Sequence, residues 1–424
     1  MPLEPYSMLL YKLFLFCYPR IAKLLGLFNK KAKEWSLGQN QVWEEIYSKL
    51  QQMNGPIIWI HAASYGEFEQ GLPIIETIKS KYPRHCIWVT FFSPSGYKYR
   101  KNDPIVDAVT YLPFDGPENA NKFIGIIKPK LIVFIKYEFW YYYLKAAKNN
   151  QIPVILASAI FRSNQIFFKW YGRWYQQMLS LFSHILVQDQ ASYQLLMQIG
   201  ISAQVSITGD TRFDRVLKNA AQATPIEWIS LLSADKKIIA GSTWEEDEKI
   251  LSKATAHFTQ FNWIIVPHHV DTKSIQQCKN RFPNAITLSS LLNSGTIQAK
   301  PIVLIVDCIG LLRTLYQYAF VTYVGGGFGK DGVHNVLEPA AFGIPVIWGP
   351  NDAKYIEAIG LRNDGGGLSI SNEAAFVLFL NECLQANNHY QNYCQKAKDY
   401  IIQNAGATPK TMTILSPYLD SAAQ

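Results

Sequence analysis

Residues 61–67, His-Ala-Ala-Ser-Tyr-Gly-Glu, place an imidazole, a hydroxyl and a carboxylate directly after the apolar run at 57–60. Gly66 permits a tight turn from a strand into a helix, so Glu67 is expected near a helix N-terminus. A carboxylate there could accept the proton of a hydroxyl that attacks an activated carbon. The alternative is a capping box, Ser64-x-x-Glu67, with no catalytic role. The motif taken alone favours the capping box, because its spacing is common.

Two further motifs of charged residues also follow apolar runs. Residues 136–140 read Lys-Tyr-Glu-Phe-Trp, and residues 209–214 read Gly-Asp-Thr-Arg-Phe-Asp. Charged groups at the carboxyl end of a buried strand face the ligand crevice of an open α/β sheet, where Arg212 could neutralise a carboxylate or phosphate. The alternatives are a surface ion pair between Lys136 and Glu138, which would have little energetic effect, and a plain interdomain turn around Arg212.

The second half of the chain carries three motifs that suit phosphate or nucleotide contacts. Residues 241–243, Gly-Ser-Thr, precede an acidic helix start, where N–H groups and hydroxyls favour a phosphate. Pro267-His268-His269 offers adjacent imidazoles, but no third ligand stands at zinc-like spacing, so we expect a base or phosphate contact. The turn Gly310-Leu311-Leu312 could supply backbone contacts from another helix start.

The run at 325–339, Gly-Gly-Gly-Phe-Gly-Lys-Asp-Gly-Val-His-Asn-Val-Leu-Glu-Pro, has five glycines in its first eight residues. A glycine-rich backbone can approach a phosphate closely. His334 and Asn335 are expected to open a helix whose N–H groups and dipole face the ligand, and Glu338 could accept both ribose hydroxyls. A flexible loop before a capped helix explains the glycines and Asn335, but it does not explain why the glycines, His334-Asn335 and Glu338 occur together. The run is neither a P-loop nor a dinucleotide-binding turn.

The elements that must position these motifs are strands and helices in alternation. Twelve short apolar runs, continuous rather than alternating, are typical of buried parallel strands; they lie at 57–60, 86–92, 108–112, 131–135, 154–157, 185–187, 205–208, 237–240, 263–266, 302–306, 320–324 and 345–348. Longer amphipathic segments separate them, which indicates βαβ units. The looser stretch at 217–233 divides two series. The sequence therefore predicts an α/β protein with two doubly wound, Rossmann-like domains and a cleft between them.

Composition agrees with a folded two-domain enzyme or binding protein and restricts its partners. The chain has 424 residues and a net charge of +8, so an anionic partner is expected. Its six cysteines form no C-x-x-C pair, which argues against a zinc ribbon and a disulfide scaffold.

The N-terminal segment is the most basic part of the chain. Six basic residues and no acidic one lie within 12–33, in a segment rich in Leu, Phe and Tyr. This pattern predicts a helix in a membrane interface, interrupted at Pro19, rather than a transmembrane span. The alternative is an ordinary amphipathic helix that packs on the protein's own core.

Taken in order, these motifs resemble those of the bacterial 3-deoxy-D-manno-octulosonic acid (Kdo) transferases, which move Kdo from CMP-Kdo to lipid A precursors. The likeness runs nearly end to end. It rests on an ordered set: His-x-x-Ser-x-Gly-Glu at 61–67, Lys-x-Glu-x-Trp at 136–140, Gly-x-x-Arg-Phe-Asp at 209–214, Ser-Thr at 242–243, Val-Pro-x-His at 266–269 and Gly-x-His-Asn-x-Leu-Glu-Pro at 332–339. Each motif is weak alone, and six in order and spacing are specific.

The resemblance implies a GT-B fold and inversion at the anomeric carbon with neither a metal ion nor a cofactor. It implies that Glu67 is the general base and that Glu138 and Arg212 support the transition state. The positions that correspond to CMP-binding residues are Pro267, His268, Gly310, Leu311, Leu312, Asn335, Val336, Leu337 and Glu338. The implied domains are a membrane-associating segment at 1–35, an acceptor-side domain at 36–216 and a CMP-Kdo-binding domain at 217–424. The implied partners are CMP-Kdo, a lipid A precursor such as lipid IVA and the cytoplasmic face of the inner membrane.

The chain departs from the family pattern at several positions. The family usually has Arg at the position of His268 and Lys at that of Arg212. Its Thr-x-Gly-Glu turn reads Cys-Ile-Gly-Leu at 308–311, and its Ser-Thr-His stretch reads Ser-Thr-Trp at 242–244. The alternatives left open are a GT-B enzyme that uses another nucleotide sugar, such as a UDP-sugar, and a non-catalytic lipid- or nucleic-acid-binding protein. The clustering of basic charge at the N-terminus favours a membrane over nucleic acid as the anionic partner.

Overall fold

The computed structural model describes residues 4–201, 205–294, 302–330, 332–385 and 387–420. They form two compact units. The chain leaves the first unit at Arg215 and returns to it at Ala405, and the second unit is Val216–Asn404. Each unit contains a seven-stranded sheet in which every strand pair is parallel. The predicted α/β class with two doubly wound sheets is therefore confirmed.

The elements of the first unit follow one another as strands and covering helices. In chain order they are α1 (Glu4–Leu25), α2 (Lys30–Leu50), β1 (Ile57–Ala62), α3 (Tyr65–Lys81), β2 (Cys86–Phe91), α4 (Pro94–Arg100), β3 (Ala108–Tyr111), α5 (Pro117–Ile127), β4 (Leu131–Ile135), α6 (Tyr141–Asn149), β5 (Val154–Ala159), a 3-10 turn (Ile166–Phe168), α7 (Arg173–Leu179), β6 (His184–Val187), α8 (Gln190–Gln198), β7 (Val205–Ile207) and α9 (Thr211–Ala221).

The second unit repeats the alternation after α9. Its elements, followed by the helix that belongs to the first unit, are a 3-10 turn (Glu227–Leu231), β8 (Lys237–Thr243), α10 (Glu245–His257), β9 (Asn262–Pro267), α11 (Thr272–Arg281), β10 (Ile286–Thr287), α12 (Leu288–Ser294), β11 (Val303–Ile305), α13 (Leu312–Leu315), a 3-10 turn (Tyr316–Tyr318), β12 (Val321–Val324), α14 (Leu337–Ala340), β13 (Val346–Trp348), α15 (Ile356–Asn363), β14 (Gly367–Ser369), α16 (Glu373–Gln385), α17 (Asn387–Asn404) and α18 (Ala407–Asp420).

The first sheet has the strand order β3-β2-β1-β4-β5-β6-β7. The order reverses between β1 and β4, which are hydrogen-bonded neighbours with Ile60 opposite Val133. In doubly wound sheets the loops after two such strands border the ligand crevice. The β1–α3 loop and the first turn of α3 carry Glu67, and the β4–α6 loop carries Glu138. The topology therefore brings both predicted carboxylates to one edge of the sheet.

Strand β1 shows why the strands appear in the sequence as continuous apolar runs. All six of its residues are buried. Trp59 packs against Phe123 and Tyr143 on one face, with ring centroids 4.9 and 5.4 Å away, while Ile58 and Ile60 join the core of the other face. Since successive side chains point to opposite faces and helices cover both faces, apolar residues are needed at every position.

The second sheet has the strand order β10-β11-β9-β8-β12-β13-β14. Its order reverses between β8 and β12, where Gly241 lies opposite Val324. The residues that follow these strands are Trp244 after β8 and the glycine run at 325–332 after β12. The sheet thus brings together two of the motifs for which we predict phosphate or nucleotide contacts.

Helix α18 belongs to the first unit, whereas the sequence prediction extended the second domain to residue 424. Met412, Leu415 and Leu419 of α18 are buried in the core on one face of the first sheet. The Asp214 carboxylate accepts hydrogen bonds from the N–H groups of Gly406 and Thr408, each at 2.6 Å, and from the Thr408 hydroxyl at 2.8 Å. Asp214 therefore caps the start of α18 from another element, a long-range contact that the local sequence does not reveal.

Helix α1 both packs on the first unit and exposes a large apolar surface. Tyr18 stacks on Phe114 with ring centroids 5.4 Å apart and contacts Trp35. Other apolar side chains of α1 and the following turn are mostly exposed: Leu9, Leu10, Leu13, Phe16, Ile21, Leu24, Leu25, Leu27 and Phe28. Pro19 was expected to break the helix but lies inside it. In the part of the chain that the structure describes, no helix has the length and hydropathy needed to cross a bilayer.

Candidate active site

Glu67 lies in the first turn of α3, as the sequence predicts. Ser64 is the N-cap residue, but within the described residues its side chain makes no hydrogen bond to the helix backbone. The Ser64 hydroxyl instead donates to Oε2 of Glu67. The serine half of a capping box is therefore missing, and this hydrogen bond orients a half-buried carboxylate. The structure therefore argues against the complete capping box, and the role of Glu67 as a general base stays a prediction.

Glu138 is a buried carboxylate, only 7% exposed, and not half of a surface ion pair. Its Oε2 accepts a hydrogen bond from Nε2–H of His61 at 2.9 Å and from Nε1–H of Trp140 at 2.6 Å. Burying a carboxylate is costly unless donors compensate it, and these two N–H groups provide that compensation. Lys136, at the start of the same loop, has φ = +72°, a conformation that non-glycine residues rarely adopt.

His61 was part of the sequence motif, but its function was not predicted. Its ring is fully buried, and Nδ1 lies 2.8 Å from the hydroxyl of Thr90. That hydroxyl accepts a hydrogen bond from Nε1–H of Trp59 at 2.8 Å. Because a carboxylate only accepts, Nε2 of His61 must carry the proton that bonds Glu138. A chain of buried hydrogen bonds thus runs through the sheet from Trp59 to Glu138 and fixes the carboxylate.

Arg212 is held by a carboxylate two residues before it in the sequence. Its Nε and Nη2 lie 2.8 and 2.7 Å from Oδ2 of Asp210, and Oδ1 of Asp210 accepts the Arg212 backbone N–H at 2.9 Å. Asp210 is buried, while the Arg212 side chain is 30% exposed. The sequence prediction missed this role of Asp210, although a carboxylate two residues before an arginine was a readable signal.

The hydroxyl of Tyr137 is affected by the charges of predicted catalytic groups in the first unit. Burial raises the pKa of the Tyr137 hydroxyl. The charges of Arg162 and Arg212 lower this pKa, and the charge of Glu67 raises it. Charges perturb a pKa appreciably only at short range. Glu67 and Arg212 therefore lie close enough to the loop that contains Glu138 to affect the hydroxyl of Tyr137.

In the second unit, three aromatic rings from three loops come together. His268, after β9, stacks on Trp244 and His334 with ring centroids 4.5 and 4.7 Å away. Nε1–H of Trp244 donates to Nε2 of His334 at 2.8 Å, so the proton of a neutral His334 ring resides on Nδ1. The structure therefore places His268 in an aromatic cluster with Trp244, and both residues differ from those usual in Kdo transferases.

The glycine run is needed for close packing of loops within the second unit. A Cβ on Gly325 would come within 2.3 Å of the Ser242 carbonyl oxygen, and one on Gly327 within 2.5 Å of the Gly349 nitrogen. Asp247 anchors the same loops, because it accepts hydrogen bonds from the backbone N–H groups of Gly326 and Trp244 at 2.8 and 2.9 Å. Burial raises the pKa of Asp247, and these hydrogen bonds oppose that effect. The glycines thus have a structural explanation that the sequence prediction did not consider.

The helix after the glycine run differs from the prediction. It was expected to open with His334 and Asn335, but α14 begins at Leu337 and makes a single turn. Oδ1 of Asn335 accepts a hydrogen bond from the Leu337 N–H at 3.1 Å, so this side-chain oxygen already has a partner within the turn. The side chains of Val336 and Leu337 are fully buried. These two residues can reach a ligand only through their backbone, and the predicted contribution of a helix dipole is small.

The remaining predicted CMP-binding positions lie close to this turn or end a neighbouring strand. Pro267 ends β9, and Gly310, with φ = +94°, precedes Leu311, the N-cap residue of α13. Arg313 of α13 has its Nε 3.5 Å from Oε1 of Glu338. This ion pair links α13 to α14, and the sequence prediction did not identify Arg313. Among the described residues, no three His, Cys, Asp or Glu side chains converge in a way that could hold a metal ion.

Comparisons with known proteins agree with these motifs. A sequence profile of the family described as 3-Deoxy-D-manno-octulosonic-acid transferase (kdotransferase) matches residues 39–215. The 3-deoxy-D-manno-octulosonic acid transferase of Haemophilus influenzae is 27% identical over 96% of this chain and 97% of its own length. That of Aquifex aeolicus is 29% identical over 77% of this chain and 86% of its own length.

A solved structure shares the fold across both units. A putative UDP-N-acetylglucosamine 2-epimerase from Listeria monocytogenes superposes with a TM-score of 0.60 at 12% identity, covering 87% of this chain and 98% of that chain. At this identity the likeness speaks for the two-unit GT-B-type fold alone. Sequence similarity goes further, because the chain is similar to 3-deoxy-D-manno-octulosonic acid transferases over most of its length and most of theirs.

Proposed function

We propose that the protein is a glycosyltransferase that transfers Kdo from CMP-Kdo to a lipid A precursor of the lipid IVA type, in lipopolysaccharide biosynthesis. The similarity of the chain to 3-deoxy-D-manno-octulosonic acid transferases supports Kdo transfer. The observation that carries the proposal is the position of Glu67, which lies in the first turn of a helix at the strand-order reversal and accepts a hydrogen bond from Ser64. A carboxylate so placed suits a general base.

The proposed reaction is a single in-line displacement. The acceptor hydroxyl oxygen attacks the anomeric carbon of Kdo on the face opposite CMP, and Glu67 accepts the hydroxyl proton. The new carbon–oxygen bond forms while the bond from the anomeric carbon to the phosphate oxygen breaks, and its electron pair leaves with CMP. One displacement inverts the anomeric configuration. We expect no requirement for a metal ion or a cofactor, so a chelator should leave the rate unchanged.

Glu138 and Arg212 are proposed to stabilise the transition state. As the bond to CMP lengthens, positive charge develops on the sugar ring, and a carboxylate fixed beforehand by His61 and Trp140 can stabilise it without reorganisation. Arg212, fixed by Asp210, is suited to pair with the carboxylate of Kdo. In both cases the fixing partner removes conformational freedom before the substrate binds.

The second unit is proposed to bind the CMP part of the donor. We assign this role to Pro267 and His268, to the turn Gly310-Leu311-Leu312 and to the residues from Asn335 to Glu338. Val336 and Leu337 would contribute backbone groups, since their side chains are buried. Glu338 is proposed to accept the ribose hydroxyls, with Arg313 orienting its carboxylate.

Helix α1 is proposed to hold the enzyme on the cytoplasmic face of the inner membrane, where the lipid acceptor lies. Its exposed side chains Leu9, Leu13, Phe16 and Leu24 fall within an arc of about 120° of the helix, and Lys12 lies at the edge of that arc. This combination is typical of helices that lie in an anionic membrane interface. Co-flotation with vesicles that contain anionic phospholipid should be lost when Leu9 and Leu13 are both changed to Asp.

The test of the proposed activity is a comparison of two glutamates in first helical turns. Glu67→Gln should abolish transfer of Kdo from CMP-Kdo to a tetra-acylated lipid A precursor, measured by mass spectrometry of the lipid. Glu118→Gln, in the exposed first turn of α5, is the matched control and should act like the wild type. CMP should stabilise all three proteins in thermal shift, and UDP should not. Near-normal transfer by Glu67→Gln, or stabilisation by UDP in place of CMP, would contradict the proposal.

A further inference from the structure

A cavity of about 510 Å³ lies in the first unit beside the β4–α6 loop. Most of its wall is apolar or aromatic and is formed by Tyr11, Phe139, Ile166, Phe167, Tyr175 and Met178. A cavity of this size, with an apolar wall and a few polar groups, is typical of sites that bind small molecules or parts of larger ligands. None of the residues proposed for the Kdo-transfer chemistry or for CMP binding lines it.

One end of the cavity reaches the proposed catalytic groups. Tyr137, which precedes Glu138, lines the cavity, and the charges that act on its hydroxyl include those of Glu67 and Arg212. Arg162 also lines the cavity, is exposed, and acts on the same hydroxyl. A ligand in the cavity would therefore have its polar end near a guanidinium and near the general base.

The other end of the cavity reaches the helix that we propose lies on the membrane. Tyr11 of α1 forms part of the wall and packs on Trp174 of α7, with ring centroids 5.5 Å apart. Trp170, in the turn before α7, is 83% exposed. The cavity wall thus includes a residue of α1, and both α1 and the turn before α7 expose apolar side chains.

The charge of the surrounding sequence favours an anionic ligand. Residues 139–188 contain five basic residues and no acidic one. These residues supply most of the cavity wall, including Arg162 at its rim. An apolar wall within a basic segment matches an amphiphile that combines a hydrocarbon chain with a negatively charged head group.

We propose that this cavity is an acyl-chain subsite, which binds one fatty acyl chain of an anionic glycolipid acceptor. Arg162 pairs with a phosphate of the acceptor at the rim, and Tyr137 lies between that phosphate and Glu67. The identity of the acceptor rests on the proposed function, while the binding of an acylated sugar phosphate does not. The subsite selects acceptors by chain length, because each buried methylene adds to the affinity.

The experiment measures binding of a homologous series of N-acylated glucosamine 1-phosphates to the full chain, by calorimetry below the critical micelle concentration. Affinity should fall about fourfold for each methylene removed. Ile166→Trp fills the cavity from the 3-10 turn and should weaken the longest ligand about fifteenfold, the equivalent of two methylenes. It should also remove the dependence on chain length over the last two methylenes of the series, while shorter chains keep it. The matched control is Leu37→Trp, which fills a separate cavity of about 490 Å³ in the same unit and should bind like the wild type.

Three outcomes separate the subsite from the proposed function. Chain-length dependence that Ile166→Trp abolishes for the two longest chains and Leu37→Trp retains supports the subsite, even if no Kdo is transferred. Equal affinity across the series, or equal losses in the two variants, overturns the subsite, even if the wild type transfers Kdo. Thermal unfolding of both variants in the absence of ligand, together with CMP binding, verifies that each is folded. If Ile166→Trp does not fold, Ile166→Phe takes its place with the same expected direction.

Discussion

Replacing His61 with asparagine removes one of the two donors that hold the buried Glu138 carboxylate. The asparagine amide can occupy the position of Nδ1 and still meet Thr90, but it stops short of Glu138. In the structure Glu138 accepts from His61 at 2.9 Å and from Trp140 at 2.6 Å. A hydrogen bond to a charged group contributes about 1.5–3 kcal/mol. Since about 1.4 kcal/mol is a factor of ten, kcat/KM should fall roughly 10- to 150-fold.

His61→Gln is the matched variant, because the longer glutamine side chain carries its amide to the position of Nε2. Its N–H can donate to Glu138, while the contact of Nδ1 with Thr90 is lost. We expect this variant to recover most of the transfer activity. The comparison therefore separates the hydrogen bond to Glu138 from the mere presence of a buried polar side chain at position 61.

The assay is the initial rate of Kdo transfer as a function of acceptor concentration, at saturating CMP-Kdo, for the wild type and both variants. CMP affinity should not change, because His61 lies in the first unit and the proposed CMP-binding residues lie in the second. Urea unfolding shows whether the variants are equally stable. The reasoning is refuted if His61→Asn retains wild-type kcat/KM. It is also refuted if the two variants are equally impaired while both unfold at the wild-type urea concentration.

Two further predictions concern contacts that hold the ends of the chain on the first unit. Asp214→Ala removes three hydrogen bonds to the start of α18 and should destabilise that helix by about 2–3 kcal/mol. Hydrogen exchange in α18 should become faster, and the increase should be smaller in Asp214→Asn. Unchanged exchange in Asp214→Ala would contradict the capping role. The Asp115 carboxyl accepts a hydrogen bond from the hydroxyl of Tyr11 in α1. Burial raises the pKa of Asp115 to about 6 from 3.8, so the stability that this raised pKa confers is full below pH 3.8 and is lost as pH rises through 6. The unfolding free energy of the wild type relative to Asp115→Asn should therefore fall by about 3 kcal/mol over that range, and a flat difference would refute this.

The alternation of strands and helices was predictable because burial on both faces leaves a strong signal. A parallel strand covered by helices needs apolar side chains at every position, so β1 and β4 stand out as short continuous runs. The same physics places polar motifs at the carboxyl ends of those strands. Consistent with this, the charges of Glu67 and Arg212 both act on the hydroxyl of Tyr137, the residue before Glu138.

The return of the chain to the first unit was not predictable, because α18 is held by contacts with residues far away in the sequence. The apolar positions Met412, Leu415 and Leu419 show that α18 is amphipathic but not which sheet they cover. The cap on this helix comes from Asp214, in a motif that was interpreted only as part of a ligand site. Amphipathicity specifies which face of a helix is buried, and it leaves the partner open.

The sequence shows where glycines are concentrated, but it does not show whether a ligand or the protein itself requires them. A glycine is needed wherever a Cβ would collide, and the colliding atom can belong to a ligand or to the protein itself. At Gly325 and Gly327 the nearest atoms belong to Ser242 and Gly349, so the protein alone accounts for both glycines. The case for a nucleotide at this run therefore depends on the similarity to Kdo transferases and on the polar groups of His268 and Glu338 more than on the glycines.

The hydrogen-bond partner of Glu138 could not be predicted from the residues near it in the sequence. The motif at 136–140 places Lys136 two residues from Glu138, and adjacency suggested a surface ion pair. In the structure Glu138 bonds to His61, which lies 77 residues earlier in the sequence. The two meet because β1 and β4 are neighbours at the reversal of strand order, with His61 opposite Phe134. The motif at 61–67 thus contributes two separate functions to the proposed site: Glu67 as the base, and His61 as the residue that positions a second carboxylate from the neighbouring strand.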